Sequence, residues 1–173
     1  PEPLTWADAR ALQDPFSAPS VLSVAPILQA AREVSYLGEV RELDVVGVTP
    51  EYSAVRDWPV LEGEFINDAQ ILGKANVALL GVKVADELFG YRTGIAGTTI
   101  RIAGQPYRVI GVMDEKGGNQ FADWDSRVLV PLSTAQTRLV NRGDRVNMII
   151  VQAVTADLVP QAQGEINQVL RIR

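Results

Sequence analysis

Carboxylates are the only abundant groups in this chain that could move a proton or attack a substrate: 21 of its 173 residues are Asp or Glu, and His and Cys are both absent. Those absences remove imidazole bases, thiol nucleophiles and the commonest zinc ligands together. Asp123 and Asp125 flank Trp124 in a segment with neither helical nor strand period. Such a pair would suit glycoside cleavage if both carboxyls faced one cleft. An i, i+2 spacing in a loop does not force that. Solvated acids, with Trp124 folded onto the body or kept for a partner, are the stronger reading. Asp114, Glu115, Gly117 and Gly118 match neither the alternating oxygen ligands of a calcium loop nor the Gly-Lys-Ser/Thr of a phosphate loop, and they read as a turn. Gly94, Gly97 and Gly104 lack dinucleotide-binding spacing and also read as turn residues. A Ser or Thr nucleophile would need Lys74, Lys83 or Lys116 as its base, and no Ser-x-x-Lys occurs. Arg138, Arg142 and Arg145 could gather to bind an anion or a neighbouring subunit, although a solvated cluster is the simpler reading. No catalytic, cofactor-binding or metal-binding residue is assigned.

Composition narrows the choice further. A chain of this length, 47% hydrophobic, can bury roughly 70% of its unfolded surface as one domain. A net charge of -5 argues against nucleic acid, whose binders concentrate Lys and Arg on one face. The eight acids between Glu39 and Asp68, against Arg41 and Arg56, read as a solvated face. No apolar stretch approaches the ~20 residues needed to cross a bilayer. The chain starts at Pro1 and stops at Arg173 on an amphipathic stretch, as a segment cut from a longer protein would.

The elements that would position any site follow from periodicity. Thr5 and Asp8 form a capping box before Trp6, Ala9 and Leu12, and Asp14-Pro15 stops that helix. Val- and Leu-rich runs at 21–25, 27–36 and 39–49 read as strands, the last two joined antiparallel through Leu37-Gly38. Incomplete alternation around Leu43, Asp44, Val45 and Val46 implies cover on both faces. A packed connector holds Tyr52, Trp58 and Phe65. A strand from Asn76 and a helix closed by Leu88-Phe89-Gly90 lead to a hairpin over 98–113, turning at Gly104-Gln105 in a type II′ turn, with Pro106 at a strand start or edge. The loop 114–126 is the most exposed-looking segment, and 127–131 returns as a strand. Ser133 is placed as a helix cap, 146–154 as a central strand, and Asp157 as the cap of a last helix with Pro160 in its first turn. This order gives an α+β class with two lobes, in which the chain ends build one lobe and the middle is inserted as the other.

Taken in order, Leu4-Thr5-x-x-Asp8-x-x-x-Leu12, Val24-Ala25-Pro26, Gly47-Val48-Thr49-Pro50-x-Tyr52, Glu62-Gly63, Val77-x-Leu79-x-Gly81, Leu88-Phe89-Gly90, the hairpin ending Val109-Ile110-Gly111-Val112-Met113, and Val130-Pro131-Leu132-Ser133 resemble the extracytoplasmic core domain of MacB-type ABC transporter permeases. The resemblance implies a porter-like lobe from 1–56 and 132–173 and an inserted, β-rich sabre-like lobe from 57–131. It implies a non-catalytic domain on the outer side of the cytoplasmic membrane, tethered by flanking transmembrane helices and coupling ATP hydrolysis to export or extraction by movement. ATP and Mg would be bound by a separate nucleotide-binding domain, so no cofactor belongs to this chain. The implied partners are a second permease copy and that nucleotide-binding domain, with a periplasmic adaptor and an outer-membrane exit duct in some members. The resemblance also implies a further segment after Arg173 leading back to the membrane, without which a sheet edge would lie unpaired and the piece would be monomeric. The expected partner contacts are Gln120, Phe121, Trp124 and Asp125, because aromatics on exposed loops are enriched in interface hot spots. The alternatives are a secreted binding or assembly module, or a carboxylate hydrolase.

Overall fold

The computed structural model describes residues 3–118, 123–141 and 143–173. Helix α1 (Trp6–Leu12) starts on the expected capping box: the Thr5 hydroxyl accepts from Asp8 N at 3.2 Å, and the Asp8 carboxylate accepts from Thr5 N at 3.0 Å. The two expected strand runs before Leu37 are one strand, β1 (Val21–Tyr36), passing through Pro26. It turns at Leu37-Gly38, both at positive φ (45° and 88°), into antiparallel β2 (Glu39–Val48). A short helix α2 (Tyr52–Val55), strand β3 (Val60–Gly63) and helix α3 (Asp68–Leu72) lead to β4 (Val77–Leu80). Helix α4 (Val82–Phe89) follows, closed by left-handed Gly90, whose N–H donates to Asp86 O at 3.0 Å. The hairpin is β5 (Thr99–Ile102) and β6 (Gln105–Met113). After β7 (Arg127–Pro131), helix α5 (Leu132–Thr134) runs on as a π-helical stretch over Ala135–Val140, then β8 (Met148–Ala153) and α6 (Val159–Arg171).

Among the described residues the pairings close on themselves. β1 pairs β2, β2 pairs β7, β7 pairs β4, β4 pairs β6, β6 pairs β5, and β5 returns to β1, with β3 attached to β6. Closure hides the strand edges within the ring. The N-terminal half of β1 leaves this ring to pair with β8, so one long strand serves both sheets. Neighbouring residues on the ring strands enter different clusters. Val45, Leu80 and Val128 pack with Val84, Ala85 and Leu88 of α4, whereas Val46, Leu79 and Leu129 pack with Tyr52, Trp58 and Met113. Cover on both faces therefore explains the broken alternation of β2. A third cluster joins Ala9, Leu12, Val24 and Val169 between α1, α6 and the β1–β8 sheet.

Four local expectations need correction. The hairpin turns at Ala103-Gly104, both at positive φ (51° and 79°), in place of Gly104-Gln105. The Ala103 N–H donates to Glu33 O at 2.8 Å, and this bond to β1 sets a register that local turn chemistry does not specify. Ser133 is no cap: its hydroxyl donates to Ile71 O at 2.5 Å, and Pro131 precedes the helix. Asp157 lies in a 3-10 turn over Ala156–Leu158, and α6 starts without a side-chain cap, although Pro160 does fall in its first turn. β8 lies at the end of the sheet, paired only with β1 among the described residues. Its apolar run arises because Ile149 and Val151 pack on the third cluster while Ile150 packs on the second.

Candidate partner-docking site

The loop after β6 is held by one carboxylate. Asp125, 2% exposed, accepts from Lys116 N at 2.9 Å and Gly117 N at 2.8 Å, closing the loop base onto the 3-10 turn Trp124–Ser126. Gly81, at the β4–α4 junction, lets this turn press close, since a Cβ there would lie 2.2 Å from Asp125 O. Trp124 is half-buried, edge-on to Trp58 with ring centroids 6.3 Å apart. The guanidinium carbons of Arg56 and Arg127 lie 4.4 and 4.3 Å from its ring centroid, and the Lys116 ammonium 5.8 Å. Lys116 also donates to Arg56 O at 2.6 Å.

Of the expected contact residues, Trp124 is half-buried and Asp125 buried at the loop base, while Gln120 and Phe121 lie outside the described residues. Sequence reasoning missed Arg56, Arg127 and Gly81 as parts of the same place. Arg56 and Arg127 lie 71 positions apart in sequence and meet over the Trp124 ring. The two acids weighed as a hydrolytic pair are separated in role: Asp123 is exposed, bonded to Lys83 at 3.2 Å and to the Ser126 hydroxyl at 2.9 Å, whereas Asp125 is spent on backbone amides. In the Arg138, Arg142 and Arg145 group, Arg142 lies outside the described residues and the Arg145 carbonyl accepts from Gln136 Nε2 at 3.1 Å. Among the described residues no group of three or more Asp, Glu, His or Cys is placed to hold a metal.

Glu62 clamps the Gly-rich turn. Its carboxylate accepts from Gly94 N at 2.6 Å, Ile95 N at 3.1 Å and Ala96 N at 3.2 Å. The Gly94 bond, joined by those from Ile95 and Ala96, holds its pKa below the ordinary 4.5 despite an opposing burial effect. Asp86 is lowered by hydrogen bonding to Arg92, and in Asp8 burial is outweighed by bonds from Arg173 and Thr5. All three bind protons more readily when unfolded, so their stabilisation is complete above the ordinary carboxylate range and is lost as pH falls through the lowered folded values. Melting temperature is therefore expected to be flat between about pH 6 and 8, where no His titrates, and to drop below about pH 4.5. In Glu62→Gln the pH 7 stability should fall by about 1–2 kcal/mol and the acid slope should flatten. An unchanged slope would show that the clamp does not hold in solution.

With this geometry in place, comparison with known proteins defines the class. The fold is that of outward-facing transporter domains: the extracellular domain of the noncanonic ABC-type transporter YknZ from Gram-positive bacteria superposes with a TM-score of 0.81 at 23% identity, covering 97% of this chain and 82% of that one. The periplasmic region of MacB from Actinobacillus actinomycetemcomitans gives 0.83 at 19% identity, covering 97% and 73%. The chain belongs to the MacB-like periplasmic core domain family, which it matches over residues 1–169. It is 32% identical over 153 residues to the macrolide export ATP-binding/permease protein MacB of Bdellovibrio bacteriovorus, covering 88% of this chain and 23% of that protein. It is 30% identical over 156 residues to the pyoverdine export ATP-binding/permease protein PvdT of Pseudomonas entomophila, covering 90% and 24%. The chain thus spans about a quarter of the length of these relatives.

Proposed function

We propose that this chain is the extracytoplasmic domain of an ABC exporter permease subunit, a non-catalytic element that passes movement from ATP hydrolysis to cargo or to a docked partner. The observation that carries the reading is the family match across residues 1–169, with relatives whose names join an ATP-binding part and a permease in one export protein. In this reading ATP and Mg bind a separate domain, and the chain's partners are a second permease copy and, through the 117–126 loop with Trp124, an adaptor leading to an exit duct. Asp125, buried on the loop base, shapes that loop rather than touching the partner. The β-rich segment 57–131 is the insert, and β1 and β2 stitch it to the chain ends by closing the ring of strands. No helix among the described residues is long and apolar enough to cross a membrane, so tethering would fall to flanking segments.

Movement transmits energy only if the two arrangements of the domains differ in their contacts, and a switch from 1:99 to 99:1 requires about 5.5 kcal/mol of such difference. Because the chain lacks cysteine, one introduced at Leu72, 87% exposed, can carry a spin label once any cysteine elsewhere in the permease is replaced. In the full-length permease, the label-to-label distance between two copies is expected to change between nucleotide-free and ATP-trapped states. The purified chain alone should turn over no ATP. An unchanged distance distribution in a permease that still hydrolyses ATP would overturn the proposal.

A further inference from the structure

We infer that Arg56, Lys116 and Arg127, gathered on Trp124, form a receptor for a carboxylate side chain presented by a docking protein. This deepens the exporter reading, which supplies only the expectation of a partner; the chemistry comes from the cluster. Three cations from three parts of the chain converge on one indole, at 4.4, 4.3 and 5.8 Å from its centroid. Among the described residues none of the three has a carboxylate within 4.0 Å, whereas Arg41, Lys83, Arg92 and Arg173 all do. Of the acids closest in sequence all but Asp57 are already engaged, and Asp57, beside Arg56, forms no ion pair with any of the three cations among the described residues. Asp125 is bonded to Lys116 N and Gly117 N, Glu115 to Arg92, Asp123 to Lys83, and Asp114 to Glu115 N. Asp44, the register partner of Arg127 on β2, makes no ion pair with it.

In a chain of net charge -5, three cations that form no ion pair among the described residues can accept an anion from outside. Stacking on Trp124 offsets part of the cost of bringing like charges together. It does not satisfy the guanidinium donors: among the described residues Nε of both Arg56 and Arg127 is buried without a hydrogen-bond partner, so an incoming acceptor would meet the terminal NH2 groups. A carboxylate supplies both the charge and paired acceptors in the geometry that guanidinium groups match. The spot is small and flanked in sequence by exposed Asp57, Asp114, Glu115 and Asp123. A broad anionic bilayer would meet those acids as well as the cations, whereas a single Asp or Glu on a protein can enter between them.

The probe is the capped hexapeptide Lys-Gly-Asp-Glu-Gly-Lys, compared with its Asn-Gln counterpart, added at about 1 mM to the 173-residue chain and followed by the NMR resonances of the Trp124 indole N–H and the arginine Nε–H groups. The acidic peptide is expected to shift these resonances and the amide peptide to leave them in place. The Arg56→Gln/Arg127→Gln chain should bind the acidic peptide at least about tenfold more weakly, and Arg41→Gln should not. Equal responses to the two peptides, or undiminished affinity in the double variant, would overturn the inference. So would binding of phosphatidylglycerol vesicles without any response to the acidic peptide, which would make the ligand a lipid. The comparison of peptides on the native chain stands even if the double variant does not fold. No ATP is involved, so failure here is separate from failure of the spin-label experiment.

Discussion

Replacing Gly63 with alanine is expected to destabilise the chain by at least about 3 kcal/mol, lowering the melting temperature by roughly 6–12 °C at this size. Gly63 takes φ +79°, and a Cβ on it would lie 2.0 Å from Ile110 O and 2.8 Å from Gly111 Cα. The two glycines are register partners where β3 crosses β6, and a Cβ on Gly111 would meet Glu62 O at 2.6 Å. Neither obstacle is a side chain that can swing aside, so alanine must part the strands or distort their backbones. The damage should spread, because Glu62 on the same strand clamps residues 94–96. Gly104→Ala is the control: it has a similar φ of +79° but no atom within 4 Å of the added Cβ, so its cost should be only about 1 kcal/mol. Denaturant melts of both variants decide the matter. Equal losses would mean that β3 peels away freely and that the backbone approach is not what Gly63 protects.

The same pair of residues shows how far sequence could be read. Glu62-Gly63 stood out as part of a family-like pattern, yet the roles of the two residues are invisible without the fold, since the atoms they meet come from Gly94, Ile95, Ala96 and Ile110. Local signals fared well where the cause was local. The Thr5–Asp8 capping box and the left-handed Gly90 form as their residue types demand, and the Leu37-Gly38 turn forms where expected although Leu37 takes a positive φ that its side chain disfavours. They failed where a distant chain segment decided the outcome. The bond from Ala103 N to Glu33 O moved a turn, and Ile71 O claimed the Ser133 hydroxyl. The continuous apolar run of β8 resembled a central strand because burial on both faces, which periodicity reports, is a different property from pairing at both edges. The α+β class and two-lobed plan were legible. Closure of the strands into a ring was not, because it depends on β1 being long enough to leave one sheet and enter another.

Around the loop base, legibility stopped at Trp124 for the same reason. An aromatic in a polar loop is visible in sequence, but its surroundings are assembled from α2, β6, β7 and the β4–α4 junction. Trp58 is the part of those surroundings on which stability most depends. Trp58→Ala is expected to cost about 3–5 kcal/mol. Trp58 is 1% exposed, packed between Tyr52 and Trp124 with ring centroids 6.4 and 6.3 Å away, and its indole N–H donates to Asp114 O at 2.7 Å. Its backbone is tied to Ser53 through Trp58 N to Ser53 O at 2.8 Å and the Ser53 hydroxyl to Trp58 O at 2.6 Å, so the site cannot readily collapse into the space left by the ring. Trp58→Phe separates packing from hydrogen bonding. It keeps much of the apolar contact, leaves Asp114 O without its donor, and should cost about 1–3 kcal/mol. In a double-mutant cycle with Trp124→Ala the two rings should couple by about 0.5–1.5 kcal/mol, the range for a paired aromatic contact. A loss below about 1 kcal/mol for Trp58→Ala, or a coupling of zero, would detach Trp124 from the core. The cations on its ring would then be held by the loop alone, and the geometry that makes them a receptor would have no rigid support.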